Sequence, residues 1–101
     1  MKTQEIMALP LLNEEFGNPI SEKLSNLLRS HITKDDRANV STTTGIGSST
    51  VRNIVFRSTT LTEDNSKAAI ELVNVAIKNC ETTIANANKA KQELKLILKS
   101  N

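Results

Sequence analysis

Residues 40–55 read VSTTTGIGSSTVRNIV, and two readings compete for them. By intrinsic propensity the stretch is a strand pair. Thr, Ser, Val and Ile dominate from Ser41 to Thr62, lose side-chain freedom in helices, and would fold as a hairpin around the glycines. The apolar spacing decides otherwise. Val51, Ile54 and Val55 do not alternate with polar residues, as a half-buried strand requires, but share one face of a helix. Gly45-Ile46-Gly47 then separates two short helices. One is expected from about Lys34 to Thr43 and the other from Ser49 to Arg57, with Ser48 and Ser49 available as its cap.

Upstream, Thr33-Lys34-Asp35-Asp36 resembles a capping box that starts the first of these helices, with early acids favourable to its dipole. Before it, Asn18 as N-cap and Pro19 at the first helical position introduce another helix. There Ile20, Leu24, Leu27, Leu28 and Ile32 recur on one face as a core-facing stripe. Residues 1–17 read as an N-terminal arm or short helix. The apolar run Ile6 to Leu12 is broken by Pro10 and followed by Glu14 and Glu15, so it is neither a signal core nor a membrane span.

Downstream, Thr62 caps a helix expected to run to about Lys99, roughly 55 Å at the standard rise. Ile70, Val73, Ile77, Cys80, Ile84, Ala87, Lys91, Leu94 and Leu98 follow alternating steps of three and four, the heptad pattern of a coiled coil. Ala69, Leu72 and Ala76 widen the stripe near its start. This helix is expected to begin in the core and to end as an oligomer seam or a helical hairpin, with Ala87 and Lys91 weakening its middle.

The expected fold is therefore all-α: a small helix-turn-helix bundle over 18–62 with a long helix over 63–101. The chain has 101 residues, 38% hydrophobic, enough for one domain and too few for two ordinary ones. With two Phe and no Trp or Tyr, Ile, Leu, Val and Ala must build the core. The formal charge of +2 says little, but its distribution says more. No acid occurs between Asp36 and Glu63, whereas Arg37, Arg52 and Arg57 fall inside that window.

The stretch from Val40 resembles the helix-turn-helix of the phage-repressor/Cro and lac-repressor-like families. Ser41 stands where those families carry a small residue, usually Ala, at the inter-helix contact. Gly45 stands at the turn position that needs a positive φ, Ile46 at the turn hydrophobe, and Val51 and Ile54 at the anchors of the recognition helix. The match is close over about twenty residues and loose over about fifty. The departures are Ser41 for Ala, which polarises the contact, and Gly47, which loosens the start of the following helix.

The resemblance implies a DNA-binding protein whose recognition helix, 48–57, lies in the major groove of double-stranded DNA. Ser48, Ser49, Arg52 and Asn53 are then the base readers, and Thr50, Arg57, Thr33 and Lys34 the phosphate contacts. A homodimer held by the heptad seam would read a palindrome. The lack of a ligand domain suggests a regulator set by concentration or by a regulatory protein partner. The runner-up is a helical assembly protein, such as a phage component, using the C-terminal helix as a protein-binding seam.

No Gly-rich phosphate loop, His-Glu metal pair or nucleophile beside a base is present, so no enzyme, metal or cofactor is expected. Cys80 is alone and reads as a small buried hydrophobe, which fits a reducing, cytoplasmic setting. His31 reads as a surface histidine near a helix end.

Overall fold

Four helices make up the described part of the chain, residues 13–99 of the computed structural model: α1 (Glu22–His31), α2 (Lys34–Thr44), α3 (Ser48–Val55) and α4 (Ser66–Lys99). No strand occurs among the described residues, so helical spacing prevails over β propensity between Ser41 and Thr62. The arm expected within 1–17 lies, up to residue 12, outside the described residues.

Side-chain caps set the starts of three helices. Ser21, and not Asn18, caps α1: its Oγ accepts from the Leu24 N–H at 3.1 Å. Asn18 is drawn away because its carbonyl accepts from Leu61 N–H at 2.9 Å while Gly17 N–H donates to the Leu61 carbonyl at 2.8 Å. That pairing ties the segment before α1 to the loop before α4. The Thr33/Asp36 box forms at α2 as its sequence implies, with both reciprocal bonds present. Before α4, Thr62 and Asn65 make the same reciprocal pair, and the helix proper follows from Ser66.

The core is aliphatic. Ile20 and Leu28 from the α1 region, Val40 from α2, Val51, Ile54 and Val55 from α3, Leu61, and Ala68, Ala69 and Leu72 from α4 are buried, with Ile32 closing one end. Burying each Leu, Ile or Val side chain contributes about 1.5–3 kcal/mol against exposure. The alanines of α4 let that helix approach closely. Leu27 departs from the stripe expected of α1 and stays 48% exposed.

Among the described residues two polar ones, Ser25 and Asn65, are buried, and both are satisfied. Ser25 Oγ donates to the Val55 carbonyl at 2.6 Å, occupying a carbonyl that the end of α3 leaves without a helical partner. Asn65 accepts from Thr62 N–H and donates to the Thr60 carbonyl.

At 34 residues, α4 is about 50 Å long. Its first half packs on the other helices, while every residue from Glu81 to Leu98 is exposed. No helix among the described residues is long and apolar enough to cross a membrane.

Candidate functional site

Helices α2 and α3 meet at a turn that their own hydroxyls hold. Gly45 ends α2 with φ 76° and ψ 5°, a left-handed conformation that glycine adopts without steric cost. Ile46, in the middle of the turn, is half-buried against the core. Its carbonyl accepts from Ser41 Oγ at 2.6 Å, and its N–H donates to Thr44 Oγ1 at 3.3 Å. Thr44 Oγ1 in turn donates to the Val40 carbonyl at 2.7 Å. Ser41 is thus a brace for the turn, and not merely a more polar substitute at a helix contact.

This brace fixes how α3 is presented. Val51, Ile54 and Val55 point into the core, and helical geometry sets Ser49, Arg52 and Phe56 on the opposite side, while Ser48 is exposed as the first residue of the helix. Ser49 and Arg52 are exposed on that face, whereas Thr50 and Asn53 are half-buried at its margins. Gly47 is the N-cap and brings no side chain, so neither Ser48 nor Ser49 serves as the cap expected of them. The first backbone N–H of α3 with a helical partner is that of Val51, bonded to the Gly47 carbonyl at 3.0 Å. The preceding N–H groups carry the positive end of the helix dipole to the surface.

The end of α3 differs from expectation. The helix stops at Val55 instead of reaching Arg57, because Arg57 itself takes φ 63°. Arg57 N–H donates to the Ile54 carbonyl at 3.2 Å and Ser58 N–H to the Asn53 carbonyl at 2.8 Å, the paired bonds of a Schellman motif. The Arg57 side chain compensates for the unfavourable backbone: Nε donates to the Ile20 carbonyl at 2.7 Å, and a terminal nitrogen lies 3.8 Å from Glu22. Arg57 therefore fastens α3 to the start of α1, apart from the exposed serines.

Thr33 and Lys34 sit at the N-terminus of α2. The Thr33 hydroxyl accepts from Asp36 N–H, and Lys34 is exposed. The Asp36 carboxyl is held below its usual range chiefly by the Thr33 N–H. The Asn79 amide and the Thr33 hydroxyl act in the same direction, while partial burial opposes them.

Sequence reasoning missed a cluster beside these residues. The guanidinium carbons of Arg52, Arg29 and Arg37 lie 5.0, 5.5 and 5.7 Å from the centroid of the Phe56 ring, within cation–π range. Arg52 of α3 and Phe56, its C-cap, are four apart, a pairing readable from spacing. Arg29 comes from α1 and Arg37 from α2, and only the tertiary fold brings them to the ring.

The heptad stripe on α4 divides in two. Ile70 is half-buried and Val73 packs against the core. Val73, Ile77 and Cys80 line one side of an apolar groove of about 300 Å³, with Leu24 and Leu27 of α1 opposite and His31 at its edge. Beyond it, Ile84, Ala87, Leu94 and Leu98 are exposed. Cys80 is half-buried and His31 exposed.

No family model, no curated protein and no solved structure matches this chain.

Proposed function

We propose that this chain is a sequence-specific DNA-binding protein, a small dimeric transcriptional regulator acting in the cytoplasm and reading a palindromic site with α3. The observation that carries the reading is the presentation of α3. Its inner face is locked by Val51, Ile54 and Val55, its outer face offers Ser49 and Arg52, and Ser48 is exposed at its uncapped N-terminus. An eight-residue helix held in this way has the dimensions and the polarity to enter a major groove. Ser41, Gly45, Ile46, Val51 and Ile54 support the reading through their resemblance to the repressor families.

In this account Arg52 donates its fork to a guanine edge and Asn53 pairs with an adenine edge. Ser48 and Ser49 also face base edges, while Thr50 and the N-terminus of α2 at Thr33 and Lys34 meet phosphates. Arg57 is reassigned from phosphate contact to structural support, since its guanidinium is engaged by Ile20 and Glu22. A second copy pairs along Ile84, Ala87, Leu94 and Leu98, giving two recognition helices on one duplex. A further regulatory protein could act by competing for that seam.

The exposed stretch of α4 also favours a second reading, a helical assembly protein whose seam binds another protein. Titration of a labelled duplex at about 50 and about 200 mM salt separates the two. DNA binding must weaken steeply over that range. An association measured in solution that is insensitive to salt, with no duplex binding, supports the assembly protein instead.

A further inference from the structure

Three arginines from three helices share one aromatic ring, and among the described residues no acid pairs with any of them. Among the described residues Arg57 pairs with Glu22, whereas Arg29, Arg37 and Arg52 form no ion pair. Like charges so close repel one another, and their proximity needs a compensating partner. The Phe56 ring supplies part of it through its negative face, while remaining 40% exposed. A guanidinium lying over a ring keeps the N–H groups along its edge available for an anion. On one side of the ring, a recess of about 450 Å³ extends between α1 and the end of α3, bounded by Arg29, Phe56, Arg57 and Glu22.

We infer that Arg29, Arg37 and Arg52, gathered by Phe56, form a clamp for phosphodiester groups of a DNA backbone, beside the base-reading face of α3. The inference rests on the DNA reading above and deepens it by assigning Arg29 and Arg37. Successive phosphates of one strand, spaced about 3.4 Å along the axis, present a row of single negative charges to such a cluster. Arg52 belongs to both faces. Its guanidinium lies over Phe56 in the free protein and turns to a base edge in the complex, leaving Arg29 and Arg37 on the backbone.

The slope of log affinity against log salt on a duplex of arbitrary sequence counts the phosphates neutralised, at about 0.9 per contact. We expect Arg29→Gln and Arg37→Gln each to lower the magnitude of that slope by about 0.9, with Lys89→Gln on the exposed part of α4 leaving it unchanged. Phe56→Leu, which removes no charge, should keep the slope while weakening binding severalfold. Thermal melting of each variant shows that it is folded. A wild-type-like slope in both arginine variants would overturn the clamp while leaving the DNA reading intact. Failure of the wild-type chain to bind any duplex would overturn both.

Discussion

The side-chain amide of Asn79 donates to Oδ2 of Asp36 at 3.0 Å and to the carbonyl of His31 at 2.8 Å. One residue of the long helix thereby satisfies an end of α1 and ties into the box that starts α2. The orientation of α2 determines that of α3, so α4 and the presented face are mechanically linked.

That linkage has a pH signature. The Asp36 carboxyl titrates below its ordinary value of 3.8 in the folded chain, so the unfolded chain binds more protons through this window. Stability from Asp36 is fully present above the ordinary value and is lost as pH falls through the lower, folded one. Asn79→Ala should cost about 1 kcal/mol at neutral pH. Asp36→Asn should remove the part of the stability difference that varies between about pH 5 and pH 2. Denaturant melts of the three proteins across that range test this, and parallel curves would disprove the coupling.

Ser25 makes a buried contact that an apolar residue cannot replace. Ser25→Ala leaves the Val55 carbonyl without its 2.6 Å donor in the core and should destabilise by about 1–3 kcal/mol. A change in melting within a few tenths of a kcal/mol would mean that water or a rearranged helix end takes over the carbonyl.

At Arg57 backbone and side chain oppose one another. Arg57→Ala loses the bonds to Ile20 and Glu22 and keeps a non-glycine residue at φ 63°. Arg57→Gly loses the same bonds but relieves the backbone, so it should be the more stable of the two variants by about 1 kcal/mol. Equal melting temperatures would show that the left-handed residue is not retained once its side chain is gone.

The fold and most of α2–α3 were legible because their determinants are local. Gly45 ends a helix at a fixed position, Thr33 and Asp36 are three apart, and Val51, Ile54 and Val55 mark a face by spacing alone. What escaped depends on contacts distant in sequence. Leu61 claims the backbone at Gly17 and Asn18, which hands the cap of α1 to Ser21. Ile20 and Glu22 engage Arg57 and take it from the interface, and Arg29 and Arg37 reach Phe56 only in the folded chain. The brace made by Ser41 escaped as well, because its hydroxyl bonds a carbonyl beyond the end of its own helix.

The bare N-terminus of α3 separates folding from binding. Gly47 has open space around a prospective Cβ and no positive φ, so a side chain fits there. Gly47→Asp should stabilise the fold by a few tenths of a kcal/mol, by capping α3 and favouring its dipole. The same carboxylate should weaken duplex binding by repelling phosphate. Opposite signs in melting and in DNA affinity are expected; stronger duplex binding would place the DNA elsewhere.

The central claim is that α3 reads base sequence, and selection from random duplex DNA tests it most directly when Arg52→Ala and Asn53→Ala are carried beside the wild-type chain. The account predicts an enriched palindrome whose half-sites lose their preference at separate base pairs in the two variants, each by about 1–3 kcal/mol. A folded chain that enriches no site, or enriches the same site unchanged in both variants, would contradict it.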